Sequence, residues 1–291
     1  MRIRTILLQR SSVKSLTFLG DMFDGVQCPC ILLQLIATGK PLSTAGMMIE
    51  DRTRTYTIAM ERTVVPENFS FRMTDEEYRV LEKIKNSIPV CYLTDHADFA
   101  LGIVTGNNKK FLSAEKTEHS EMVLKGTDIC KYHINPAKQY LRFEPEQFQQ
   151  VAPLEIYRAP EKLLYRFISN QLVVAYDDRQ MLSLNSCNIV IQKIDGMQIK
   201  YILAILNSSV SQFVYQKEFH SIKVLRAHME HIPIPRVGKA IQNEIIAMTE
   251  PLICGMGKEA AETCQKRLDC RIMDLFRLSA EEQWIIRHAL H

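Results

Sequence analysis

The chain has 291 residues, 46% apolar and 24% charged, with a formal net charge of +3 at pH 7. That balance excludes a disordered or collagenous chain, and no apolar run is long enough to span a bilayer. The length suits two domains, or one domain with appendages.

Taken in chain order, Arg4, Leu7, Leu8 and Val13 read as a short helix, followed by a strand at Ser15 to Leu19. Cys30 to Ile36 (CILLQLI) is a near-continuous apolar run, the pattern of a strand buried on both faces. Thr55 to Met60 alternates like a strand. Thr74-Asp75-Glu76-Glu77 is a capping box: the Thr74 hydroxyl accepts from the Glu77 amide, and Glu77 reaches back. A helix follows to about Lys85, with Tyr78, Leu81 and Ile84 on one face, bounded by Pro89. From Phe99 to Pro235 strands dominate. The run FALGIVTGNNKKFL, Phe99 to Leu112, breaks at Thr105 to Lys110, where glycine and asparagine tolerate positive φ and make a tight loop. Leu172 to Tyr176 and Asn188 to Ile191 are strands, with Asp177-Asp178-Arg179-Gln180 as the turn between them. Tyr201 to Leu206 starts a helix that Asn207-Ser208-Ser209 interrupts, and Pro233 and Pro235 end regular structure. Beyond them Ala261, Cys264, Leu268, Ile272 and Leu275 recur at helical spacing. Ser279-Ala280-Glu281-Glu282 opens a last helix carrying Trp284, Ile285 and Ala289.

Some side chains suit contact with DNA. Asparagine and arginine present paired groups to base edges, and lysine pairs with phosphate. The base-edge candidates are Asn107, Asn108, Arg166, Arg179, Asn185 and Asn188, with Thr105 in the same loop as the first two. The phosphate candidates are Lys109, Lys110, Lys217, Lys223 and Arg226, and His220 stands among them. Each has a plainer reading: a solvated turn for 105–110, turn chemistry for Asn185 and Asn188, and ordinary surface charge for the cations. Around residue 220 the bases Lys217, Lys223, Arg226, Arg236 and Lys239 outnumber Glu218 and Glu230. Tyr132, Phe213 and Tyr215 read as core. Eight irregularly spaced cysteines without a secretory signal suggest free thiols in a cytoplasmic protein, and Cys28-Pro29-Cys30 lacks the further ligands of a zinc site. A metal nuclease of the PD-(D/E)xK type needs Asp or Glu two residues before Lys; no such triplet occurs, and neither does G-x-S-x-G.

The strings GIVTGNNKKFL (Gly102 to Leu112), GTDICKYHI (Gly126 to Ile134) and APEKLLYRFISNQLVVAYDDRQMLSLNSCNIVI (Ala159 to Ile191) recur in order with YILAILNSSVSQFVYQKEF (Tyr201 to Phe219) and HIPIP (His231 to Pro235). This ordered series resembles the C-terminal part of an adenine-N6 DNA methyltransferase of a restriction-modification system, and its middle resembles the TaqI-like target-recognition domain. The resemblance implies an α+β fold: a mixed or antiparallel-sheet recognition domain, a partial methyltransferase-core segment before it and helices after it. Its parts would be residues 1–62 (last strands of the core), 63–98 (connector), 99–237 (recognition domain) and 238–291 (helical segment). It also implies a DNA-facing location for Arg166, within KLLYRF.

The catalytic half of that family carries a glycine-rich loop for S-adenosylmethionine (SAM) and an NPPY-type tetrapeptide. Neither string is present; the nearest glycine, Gly25, stands alone in Phe23-Asp24-Gly25-Val26. The resemblance therefore implies double-stranded DNA as one partner, with SAM held by a separate catalytic methyltransferase chain. The strand Ile31 to Ile36 is expected to be covered by that chain, by a second copy, or by residues 55–60. A non-reading assembly subunit, or a degenerate enzyme fragment, is the alternative.

Overall fold

The computed structural model describes residues 2–26, 28–64, 70–219 and 221–290. The chain divides into two compact units, one of residues 1–82 and 217–219, the other of residues 83–216 and 220–291. The architecture is α+β.

The first unit opens with helix α1 (Arg2–Arg10) and strands β1 (Ser11–Asp21) and β2 (Pro29–Ala37), the helix-strand-strand order expected from the sequence. Strands β3 (Met48–Glu50) and β4 (Thr55–Thr57) complete a sheet of order β2-β1-β3-β4, parallel only between β1 and β3. Val13, Leu16, Met47, Ile49, Ile58 and Phe71 form its core. The expectation that β2 is buried on both faces is corrected. Ile31, Leu32 and Ile36 are 55%, 61% and 51% exposed, because β2 is an edge strand and only Leu33 packs against the core cluster. Residues 55–57 form the opposite edge, so this segment does not cover β2.

Helix α2 (Asp75–Asn86) begins in this unit at the expected capping box: Thr74 N donates to Glu77 Oε2 at 2.8 Å, and Glu77 N to Thr74 Oγ1 at 3.3 Å. Its apolar stripe buries Val80, Leu81 and Ile84.

The second unit contains β5 (Val90–Cys91), β6 (Ala97–Ala100), α3 (Asn108–Phe111), β7 (Leu112–Ser113), β8 (Ser120–Leu124) and β9 (Tyr140–Arg142). Next come α4 (Leu154–Tyr157), β10 (Lys162–Arg166), β11 (Val174–Asp177), β12 (Leu182–Ser183) and β13 (Cys187–Gln192). Two sheets result, one antiparallel with order β11-β10-β13-β6, the other of order β12-β8-β9-β7. Strand β10 lies between β11 and β13, so the two strands foreseen as neighbours across one turn do not pair. The turn itself lies at residues 178–180, with Gln180 at φ +57°, because Asp177 remains in β11. Flanked on both edges, β10 buries Leu163, Leu164 and Tyr165.

Helix α5 (Ile199–Asn207) is apolar almost all round and buried except at Lys200, as such a helix must be. The break before α6 (Ser209–Glu218) falls where expected. Asn207 turns its amide onto Val174, accepting from its N at 3.1 Å and donating to its O at 2.9 Å, while Ser209 N and Oγ donate to Asp269. After α7 (Arg226–Glu230), β14 (Ile234–Pro235) pairs with β5. Pro235 thus stands inside a short strand rather than after one. The C-terminal helices are α8 (Lys239–Ile253), α9 (Lys258–Leu275) and α10 (Ala280–Ala289). The second capping box is present, Ser279 N donating to Glu282 Oε2 at 2.7 Å. On α10, however, the buried residue is Ile286, and Trp284 is 56% exposed and stacked on His288.

Candidate nucleic-acid interface

The site is built around a β-turn at Leu184-Asn185-Ser186-Cys187, closed by Cys187 N donating to Leu184 O at 2.7 Å. Two glycines let other backbone segments approach it. A Cβ on Gly102 would stand 2.1 Å from Leu184 O, and one on Gly126 would stand 2.5 Å from Ser186 O. In that space Asn185 N donates to Ile103 O at 3.1 Å, and Gly126 N donates to Ser186 Oγ at 2.9 Å. Asn185 itself is exposed at the tip. Arg166, at the end of β10, donates to Gly126 O at 2.9 Å and to Ile129 O at 2.6 Å. Its fork therefore fastens the segment under the turn.

From Ile103 the chain runs through Val104, bridged to Gln150, into the 105–110 segment. The tight loop expected there is in fact a bend, Gly106 at φ +76°, followed by the single helical turn α3. Asn107 caps α3, accepting from Lys110 N at 3.3 Å. Asn108 Oδ1 accepts from Thr105 Oγ1 at 2.6 Å, so both hydroxyl and amide oxygen are spent inside the turn. Lys110 Nζ donates to Gln147 Oε1 at 2.7 Å and lies over the Phe111 ring. Lys109 is exposed and has no ion-pair partner among the described residues.

On the other side of the Asn185 turn, Phe167 N donates to Ser186 O at 3.0 Å, and Ile168 bridges to Lys223. Lys223 and Arg226 are exposed there. Arg226 pairs with Glu230 at 2.7 Å and sits over the Phe99 ring. The fold thus links Thr105, Asn107, Asn108, Lys109, Lys110, Arg166, Asn185, Lys223 and Arg226 through one series of backbone bridges.

Other candidates fall elsewhere. Arg179 follows Asp177, which faces Lys162 at the start of β10, whereas Arg166 and the Asn185 turn lie at its far end. Asn188 is 5% exposed, with Oδ1 toward Gly102 N and Nδ2 toward Tyr165 OH, so its work is internal. Lys217 belongs to the first unit, 6% exposed, with Nζ 2.8 Å from Glu77 Oε1. As a phosphate ligand it is corrected: this ammonium is committed to a buried carboxylate. His220 lies outside the described residues. Tyr132, Phe213 and Tyr215 are core. All eight cysteines are free, and no cluster of three metal-ligating side chains occurs among the described residues. Gly25, the nearest glycine to a SAM loop, sits in an exposed turn with nothing within 4 Å of an added Cβ. It forms no cradle, so these residues do not fit that cofactor.

One feature escaped sequence reading altogether. Lys162 and Asp177 form an ion pair with both side chains fully buried. Paired charges far apart in sequence leave no periodic signal.

Comparison with known proteins shows what this fold is similar to. Residues 121–234 match the TaqI-like C-terminal specificity domain family. The fold is similar to the Type IIL restriction-modification enzyme MmeI, solved in complex with DNA, with TM-score 0.57 and 9% identity over 99% of this chain and 48% of that one. The HsdS subunit from Thermoanaerobacter tengcongensis aligns with TM-score 0.38 and 13% identity, over 74% of this chain and 50% of that one. The type IIG restriction endonuclease BpuSI aligns with TM-score 0.40 and 10% identity, over 94% and 44%. The chain thus spans about half the length of these proteins. No curated protein matches it.

Proposed function

We propose that this chain reads DNA sequence for an adenine-N6 methyltransferase of a restriction-modification system, acting in the cytoplasm on duplex DNA. The carrying observation is the match of residues 121–234 to a specificity domain, within which Asn185 and Lys223 stand in solvent, with Lys109 of the preceding segment exposed as well. The turn and its flanking cations supply two separable functions. Lys109, Lys110 and Lys223 position the duplex through phosphates, and exposed amides distinguish bases. Catalysis and SAM binding belong to a methyltransferase chain that docks on the first unit. The exposed, uncharged edge strand β2 suits that docking, since a free sheet edge accepts a further strand; a second copy of this chain is the alternative occupant.

The test is selection of bound duplexes from a randomised library, followed by affinity measurement at several salt concentrations. A recovered consensus, with log affinity falling linearly against log salt, supports the reading. Binding that is absent, or independent of both sequence and salt, leaves a non-reading assembly subunit.

A further inference from the structure

Residues 167–169 and 222–224 run antiparallel. Ser169 N donates to Ile222 O at 2.9 Å, Val224 N donates to Phe167 O at 2.8 Å, and Ile168 faces Lys223 across the pair. The base of this ribbon is fixed. Gln212, 3% exposed, accepts from Leu172 N and donates to Leu172 O, both at 2.9 Å, while Tyr215 OH donates to Ser221 O at 2.9 Å. Beyond the base the side chains meet solvent. Ile168 is 61% exposed and Ile222 54%, and Asn170, Gln171 and Lys223 are exposed as well. Among the described residues neither the Asn170 nor the Gln171 side chain makes a hydrogen bond; only the Gln171 backbone does, to Ser169 Oγ. This separates them from Asn107, Asn108 and Asn188, whose amides serve the fold.

We propose that this ribbon enters the major groove, where Asn170 and Gln171 read an adenine and Ile168 contacts a thymine methyl, so that an A·T pair is part of the target. The inference rests on the DNA-reading function above. A two-stranded ribbon fits the width of the major groove. The carboxamide offers one donor and one acceptor, matching adenine N6 and N7, and an aliphatic side chain packs on the thymine methyl. Lys223, on the same face as Ile168, meets a phosphate beside them.

The experiment uses the full chain and the duplex recovered by selection from a randomised library. Asn170→Ala and Gln171→Ala should each lose discrimination at an A·T position by about 5- to 150-fold, with an unchanged salt slope. Replacing thymine by uracil at that position removes only the methyl; it should weaken the parent several-fold and leave Ile168→Ala indifferent. All three residues are exposed, so thermal melts should match the parent. If sequence-selective, salt-dependent binding persists while these variants and the uracil duplex behave like the parent, the ribbon assignment is overturned and the DNA-reading function stands. If the chain binds no duplex selectively, both fall together.

Discussion

Lys162 Nζ lies 2.5 Å from Asp177 Oδ2 across the pairing of β10 with β11, and neither side chain is exposed at all. Asp177 also accepts from Arg179 N and Met181 N, and Lys162 also donates to Tyr157 O at 2.6 Å. Burial pushes the Lys162 ammonium below its usual value, and Asp177 restores only part of it. The desolvation of both charges therefore offsets much of their attraction, and the pair is a weak source of net stability. Asp177→Leu, which strands a buried ammonium, should cost about 3–5 kcal/mol in urea unfolding followed by circular dichroism. Lys162→Met leaves Asp177 its two amide donors and should cost less. Equal losses would show that the amide donors do not stabilise the carboxylate.

Glu77 joins three elements of the first unit. It accepts from Thr74 N, from both terminal nitrogens of Arg54 at 3.0 and 3.2 Å, and from Lys217 Nζ at 2.8 Å. Burial alone would raise its carboxyl, but the bonds from Arg54 and Lys217 outweigh it and hold it below the ordinary 4.5. Because the folded value lies below the unfolded one, the unfolded state binds more protons in between. The contribution is complete above about 4.5 and is lost as pH falls through the lowered value. Melting temperature followed downward through that window should drop for the parent, and Glu77→Gln should start lower with a shallower acid limb.

Gly102→Ala should damage the interface from within. The added methyl meets Leu184 O and Cys187 O at 2.1 and 2.6 Å, both rigid backbone. A loss of about 2 kcal/mol or more is expected, with duplex affinity falling further than folded fraction alone explains. An unchanged melt would mean that the Asn185 turn is free to move away.

Lys109→Ala with Lys110→Ala should weaken binding to all duplexes alike and lower the salt slope by about 2, since each phosphate left without its cation lowers it by close to one unit. Asn108→Ala should behave differently, costing about 1 kcal/mol of stability, since its Oδ1 holds Thr105. Affinity titrations across salt, paired with melts, separate the two effects.

The edge strand gives a contrast between adjacent residues. Leu33→Lys places a charge against the core of the first unit and should lower its melting temperature. Leu32→Lys, at a position 61% exposed, should leave the melt alone and abolish any association seen by light scattering. Association surviving Leu32→Lys would remove β2 from the docking surface.

Local signals in the sequence determined the helix caps at Thr74 and Ser279, the interruption at Asn207 and Ser208, and the positions of β11, β13, α9 and α10. Each depends on neighbours three or four residues away, or on alternation within one segment, so a single string contains it. The ordered motifs likewise pointed, without coordinates, to the specificity-domain family that residues 121–234 match. What the tertiary structure alone decided is which element covers which. CILLQLI reads as interior because all but one of its residues are apolar, yet it lies at an edge, since burial depends on a second layer the strand cannot encode. Lys217 reads as a surface cation until Glu77, 140 residues away, is brought against it. Asn108 and Asn170 look alike in one dimension. Only the fold spends the first on Thr105 and leaves the second facing solvent, because hydrogen-bond partners are assigned by folding and not by residue type.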